Sequence, residues 1–321
     1  MRVVQATEFG SPQVLEVGSA AEPEPGPEEL LVEVSVAEVL FLDTQLRAGW
    51  GREFFALEPP FVPGVGVAGV VASIGERVDR GWIGRRVIAS LSNAGEYTGG
   101  GYAERAVVPA DAALEVPDGL DLKDAIAALH DGRMALSRLG QAEIATGDRV
   151  LITAAGGSLG AWLVPLAARS GATVIAAARG ERKLALARER GAHVVVDYSS
   201  DGWIDRIGAV DVVFDGAGGR IGSQAFELTG RGARFFSYGA ASGDFPSVEA
   251  EAERRGVRVI GIHDRPSARE LRRDTEAALA LLATGEIRPL IGQVLPLERA
   301  SEAHAAIENR SVPGKTLLVT G

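Results

Sequence analysis

From Arg149 onward, short unbroken apolar runs alternate with stretches whose apolar positions recur every third or fourth residue. The runs are Arg149–Thr153, Thr173–Ala178, Val194–Asp197, Asp211–Asp215, Arg234–Tyr238 and Val257–Ile260. They are short, rich in small and β-branched residues and bounded by turn residues, so each reads as a strand buried on both faces. Between them, Ala161–Ser170, Glu181–Arg190, Trp203–Ile207 and Ile221–Thr229 carry helical spacing. Strands joined by helical links predict a parallel sheet, covered by helices on both faces and entered by right-handed crossovers. Pro165 conflicts with this pattern, because inside a helix it removes a backbone bond and should kink it.

The first 119 residues have another rhythm. Leu30–Val36, Val65–Ile74, Arg85–Ala89 and Ala103–Val108 are short apolar runs separated by Gly, Pro and acidic turns such as EPEPGPEE, and they predict a β-rich domain. The glycine-rich piece at 95–104 reads as a loop that brings backbone close to something. Asp121–Leu139 is helical in pattern and crosses to the strand at Arg149. After Ile260 come a polar loop, a long helix over Ser267–Thr284, a strand over Ile291–Leu295, a helix over Ala300–Glu308 and a strand over Thr316–Val319. A tail of strand character most simply rejoins the β-rich part. Residues 1–119 and 263–321 would then form one discontinuous domain, and 120–262 the other.

The turn between the first parallel strand and its helix is the densest chemical signal. It reads Ala155-x-Gly157-x-x-Gly160, with Ser158 and Leu159 inside it and alanine at the first glycine position. Such a turn lets a phosphate approach the backbone, where the N–H groups and positive end of the helix meet its charge. The strand–helix alternation downstream is the setting a dinucleotide fold requires.

Composition narrows the classes. At 321 residues, 46% hydrophobic and 24% charged, the chain is globular and long enough for two domains. The net charge is −10 and no long basic stretch occurs, which argues against nucleic acid. There is no run of about eighteen apolar residues and no signal-peptide pattern, so no membrane association and a cytoplasmic location are expected. With no cysteine, disulfides, thiolate zinc sites and a cysteine nucleophile are excluded. The histidines at 130, 193, 263 and 304 show no ligand spacing and read as helix-surface or loop residues.

Five segments together resemble the medium-chain dehydrogenase/reductase superfamily, in particular its zinc-free quinone oxidoreductase branch. They are PFVPGVGVAGVV (60–71), GGYAERAVVPA (100–110), AAGGSLG (154–160), DVVFDGAGG (211–219) and PGKTLLV (313–319). The resemblance implies a GroES-like β domain plus a Rossmann doubly wound parallel sheet. It places the active site between them, at the carboxyl ends of the strands, and implies a homodimer that acts on a small molecule. Zinc alcohol dehydrogenases place a cysteine three residues before an aspartate resembling Asp43, and a His-Glu pair just after the following Pro-Gly. Leu40, Val65 and Gly66 stand at those positions, and none offers a lone pair to a metal.

The second parallel strand ends in Ala178 and Arg179, with Lys183 a turn further on, where an NAD site usually has a carboxylate. These cations would attract the 2′-phosphate of NADPH; the alternative is that they are solvated charges opening a helix, where positive charge is unfavourable. By resemblance, Lys183, Tyr198 and Arg310 would clamp that phosphate, Met134 would lie beside the nicotinamide, and Gly216, Tyr238 and Gly239 would complete the cofactor site. The family's Asn-x-x-Asp-x-Tyr appears here as Leu40-x-x-Asp43-x-Gln45, followed by Arg47 and Trp50. Asp43, Gln45, Arg47 and Trp50 are therefore the substrate-side candidates, although Asp43 could equally hold a turn and Trp50 could be lid or wall. The implied activity is zinc-independent, NADPH-dependent reduction of a quinone or activated C=C. A pathway-specific enoyl reductase and an NADPH-binding protein without turnover stay open as alternatives.

Overall fold

The computed structural model describes residues 1–52, 54–91, 97–262, 264 and 266–321. They divide into two compact units, Met1–Arg133 with Arg272–Gly321, and Met134–Leu271. Both joints fall later than the sequence pattern suggests. The expected helix over Asp121–Leu139 is broken into a short helix Leu122–Ala125, a 3-10 turn Ile126–Ala128 and a helix Asp131–Ala142. The first two pieces pack on strands of the first unit, burying Ala125 through Leu129, and so carry that unit's boundary onward.

In the first unit, a sheet runs in the spatial order Ile291–Pro296, Lys315–Val319, Glu29–Val39, Gly66–Ile74, Arg86–Ser90, Ala113–Glu115, and Arg105–Pro109 also pairs with Glu29–Val39. The tail strand lies antiparallel to Glu29–Val39, with Leu318 opposite Ala37. Glu29–Val39 shifts register twice on its other neighbour, and its inward residues Leu30, Val32 and Val34 meet Val67, Val71, Val87 and Leu318 in one core. A separate ribbon of Arg2–Ala6 and Leu15–Ser19 lies outside the expected strands.

The second unit has its strands in the order Val194–Asp197, Thr173–Ala178, Arg149–Ile152, Val210–Asp215, Thr229–Ser237, Arg258–Ile260, all parallel. The chain winds outward from Arg149–Ile152 in one direction and then returns beside it to wind the other way. The switch point therefore lies between that strand and Val210–Asp215, where ligands bind in such sheets. Trp203–Arg206 is a 3-10 turn, and an additional helix, Glu249–Arg255, precedes the last strand.

Pro165 sits inside the helix Gly160–Arg169. Having no N–H, it leaves the Ala161 carbonyl without its helical donor. Arg190 Nε donates to that oxygen at 2.9 Å, so the neighbouring helix supplies what proline withholds. Among the described residues, no helix is long and apolar enough to cross a membrane.

Candidate active site

The glycine turn is shaped by contacts that leave no room for side chains. A Cβ on Gly160 would stand 2.7 Å from the Ala155 backbone, so the first turn of the helix can pack onto the loop only with glycine there. Ala154 takes a positive φ of 51°, and its carbonyl accepts from Gly157 N–H at 2.9 Å. Ala155 is anchored to the next strand by its N–H on Ala177 O, 3.1 Å. Gly157, Ser158 and Leu159 remain half-buried at the start of the helix.

Two residues absent from the sequence-derived site fix the opposite wall. The Thr153 hydroxyl donates to Asp215 Oδ1 at 2.6 Å and accepts from the N–H groups of Gly216 and Ala217, each at 3.1 Å. Asp215, fully buried, also accepts from Ala217 and Gly218. Burial pushes its carboxyl up, while Thr153 and the Gly218 and Ala217 N–H groups pull the other way. Gly216 and Gly239 meet back to back, since a Cβ on Gly239 would lie 2.5 Å from Gly216 O, and the Tyr238 ring covers Gly216. A carboxylate ending an apolar run and followed by Gly-Ala-Gly-Gly was the available signal for Asp215.

On the phosphate side, the stem of Lys183 lies across the loop: a Cβ on Gly156 would be 2.7 Å from Lys183 Cβ. Tyr198 N–H donates to Ala178 O at 3.3 Å, and the tyrosine ring packs edge-on against Trp203. Arg179 is exposed, and Asp197 is near enough to feel its charge. Burial would raise the Asp197 carboxyl, but bonds from Ser199 and Gly180 N–H, with Arg179 adding, hold it below its usual value. The second unit thus brings together Gly156, Lys183, Arg179 and Tyr198. Arg310 belongs to the first unit, half-buried, with a positive φ of 54° just past the helix Ala300–Glu308. Met134 is half-buried in the first turn of Asp131–Ala142.

The substrate-side candidates separate. Asp43 is fully buried: Oδ2 accepts from Leu40 N–H at 2.8 Å and from Tyr102 O–H at 3.3 Å, while Oδ1 accepts from Tyr97 O–H at 2.8 Å. Burial raises its carboxyl to about 6 against those hydrogen bonds. It therefore does hold a turn, the start of the helix Phe41–Arg47, and it gathers two phenols besides. Arg47 corrects expectation. Its side chain is 1% exposed and donates to Gly10 O and to Glu308, whose own side chain is 31% exposed, so the guanidinium is spent on contacts within the fold. Gln45 is half-buried, and Trp50 is 48% exposed with its ring 6.5 Å from Phe55.

Comparison with known proteins accords with this geometry. A family model described as "Alcohol dehydrogenase GroES-like domain" matches residues 26–118, and one described as "Zinc-binding dehydrogenase" matches 190–318. Quinone oxidoreductase of Sus scrofa is 30% identical over 333 residues, covering 99% of this chain and 98% of the relative. The chain belongs to the medium-chain dehydrogenase/reductase superfamily. Its branch is the quinone oxidoreductase-like one, and it is an oxidoreductase. A 2-haloacrylate reductase of Burkholderia is also 30% identical, over 92% of each chain. The crystal structure of Escherichia coli quinone oxidoreductase complexed with NADPH superposes with a TM-score of 0.89 at 25% identity, covering 100% of both chains.

Zinc of the kind bound elsewhere in this superfamily does not suit the residues present. Leu40 and Val65 are aliphatic, and the place of a side chain at Gly66 is taken by Glu38 Oε1, only 1.9 Å from where a Cβ would be. Among the described residues, no group of three or more His, Asp or Glu could hold a metal ion. Glu38, fully buried, is instead bonded to Lys315 Nζ and to His130 Nδ1, and Lys315 also reaches Asp131 at 2.6 Å. Two histidines thereby correct the surface expectation. His130 is half-buried on Glu38, and His304 is fully buried with Nε2 3.0 Å from the Tyr102 hydroxyl. Burial lowers His304 to about 3, with Arg47 adding, so it is neutral. His193 is exposed, as expected, and His263 lies outside the described residues.

Proposed function

We propose that this protein reduces a quinone or an electron-poor C=C, such as an enone or enal, with NADPH and without zinc. The observation that carries the cofactor part is Lys183 lying over Gly156, with Arg179 and Tyr198 at the ends of the adjacent strands. A dinucleotide whose pyrophosphate rests on the turn 154–160 would present its ribose 2′ position to that cationic corner. Support for the substrate comes from the relatives, one named for quinones and one for a haloacrylate, itself an electron-poor alkene.

A reduced nicotinamide, when bound, supplies the hydride. The chain's own residues bind and orient. The helix N-terminus at Gly160 would receive the pyrophosphate, and Lys183, Arg179, Tyr198 and Arg310 would receive the 2′-phosphate. Met134, Gly216, Tyr238 and Gly239 would line the nicotinamide end. Leu40, where the family's pattern has asparagine, makes the substrate side more apolar and helps exclude water from a hydride acceptor, while the half-buried Gln45 offers an amide in place of a phenol. Arg47 takes no part. The working form is a homodimer, which light scattering checks.

The test is NADPH consumption over naphthoquinones, enones and aldehydes, before and after treatment with a strong chelator. Turnover of a quinone or enone that survives chelation is expected, together with less than about a tenth of a zinc per chain by elemental analysis. One zinc per chain, or activity confined to aldehydes, would overturn the reading. The amide missing at Leu40 and the phenol missing at Gln45 favour one second reading, a protein that binds NADPH without turning over; tight binding with no consumption of any acceptor would establish it.

A further inference from the structure

The segment that resemblance would furnish with an asparagine and a tyrosine has Leu40 and Gln45 instead. The same carboxylate nevertheless receives a phenol from elsewhere. Tyr97 O–H donates to Asp43 Oδ1 at 2.8 Å, and Gly64 N–H donates to the Tyr97 oxygen at 2.9 Å. The Tyr97 ring meets Phe55 edge-on at 6.3 Å, and Phe55 meets Trp50, which stands half out in solvent. An aromatic face therefore runs from an open end at Trp50 to a polar end at Tyr97 and Asp43, all within one unit.

We propose that Tyr97 is a catalytic residue that protonates the reduced substrate, and that Asp43 is the positioning residue that frees its hydroxyl proton. The proposal rests on the reductase reading above. While Asp43 is ionised, the Tyr97 proton is held by Oδ1. When Asp43 is protonated, its two existing donors, Leu40 N–H and Tyr102 O–H, occupy Oδ2, so the proton goes to Oδ1 and is donated to Tyr97. The phenol oxygen then accepts from both Asp43 and Gly64, which turns its own O–H outward and makes it a stronger donor.

The step balances. The reduced nicotinamide, when bound, would supply the hydride for the new C–H bond, and the substrate π pair would move onto oxygen to leave an enolate or hydroquinone anion. The Tyr97 O–H bond breaks, its proton joins that anion, and the electron pair stays on the phenolate. Asp43 returns a proton to the phenolate, and water restores Asp43 once product leaves. The charged and titratable groups around Asp43 are Glu38 on the preceding strand, Tyr97, Tyr102, neutral His304 behind Tyr102, and the Arg47–Glu308 pair beyond. Glu38 favours the protonated form, in the same direction as burial, which places the carboxyl at about 6.

Three readouts test this. Wild-type kcat/KM should fall about tenfold per pH unit above about 6. Tyr97→Phe should lower it about 100-fold or more, and should weaken equilibrium binding of 1,4-naphthoquinone, followed by tryptophan quenching in the presence of NADP+, about tenfold. In Asp43→Asn the amide N–H replaces the carboxyl O–H on Tyr97 and water must reprotonate the phenolate, so the fall with pH should vanish and the single-turnover rate at pH 8 should exceed that of wild type. Tyr97→Phe within threefold of wild type, or an Asp43→Asn variant that keeps the wild-type fall, would overturn the proposal. Should Tyr97→Phe fail to fold, the Asp43→Asn profile still decides. Should the wild type turn over no acceptor, the reductase reading falls, and unchanged naphthoquinone binding by Tyr97→Phe would then overturn the role of Tyr97 as well.

Discussion

Lys315→Met is expected to destabilise the protein by about 3–5 kcal/mol at pH 7, because it strands two buried carboxylates without their cation. Glu38 is fully buried, Lys315 is 2% exposed, and Lys315 Nζ binds both Glu38 and Asp131. Burial alone would push Glu38 up, but His130 and Lys315 win and hold it at about 2. For Lys315, burial pulls down while Asp131 and Glu38 pull up, and the partners prevail. Glu38 therefore adds stability that is fully present above its ordinary value of 4.5 and is lost as pH falls toward 2. Without Lys315 the carboxylates would rather be protonated, so the variant should lag wild type most at pH 7 and least near pH 4. Urea unfolding at the two pH values measures the gap. A deficit that is equal at both would mean that lost packing, not stranded charge, sets the cost.

NADPH should bind at least about tenfold more tightly than NADH, a difference on the order of 1.4 kcal/mol or more. Arg310→Ala should raise the NADPH dissociation constant roughly ten- to a hundredfold, by loss of a charge-assisted bond worth roughly 1.5–3 kcal/mol, and leave NADH nearly unchanged. Lys183→Ala and Arg179→Ala should each narrow the gap. Lys183 should matter more: its stem lies on Gly156, whereas Arg179 is exposed and shares its field with Asp197. The competing account has Arg310 as a charge just past the helix Ala300–Glu308, worth a few tenths of a kcal/mol to stability. Titrating both cofactors against the variant separates the two. A parallel loss for NADPH and NADH would refute the clamp, and equal wild-type affinities would refute the charge argument altogether.

Much of the second unit was legible in the chain. Thr173–Ala178 and Val194–Asp197 lie where the pattern places them, as does the helix Ala300–Glu308 of the first unit, because a strand buried on both faces needs an unbroken apolar run and a packed helix needs an apolar stripe. Pattern fails where burial is slight. Leu15–Ser19 exposes most of its residues, and Glu249–Arg255 buries only Ala252, so neither carries a readable period. It fails again at Leu129–His130, where the chain turns out of the expected helix and His130 is drawn to Glu38.

The glycines and the cations after the second parallel strand followed from the sequence alone, since each is a property of residue type at a fixed local spacing, and the bare metal positions followed from the resemblance. The destinations of Arg47, Glu38, Lys315, His304 and Tyr97 did not. Each is a polar group that ordinarily stays in water, and each is buried, or half-buried for Tyr97, because a partner waits far along the chain: Glu308 for Arg47 at a separation of 261 residues, Glu38 for Lys315 at 277, Tyr102 for His304 at 202, Asp43 for Tyr97 at 54. Whether a charge or hydroxyl can leave solvent depends on the partner that meets it, and only the folded chain decides which residues meet.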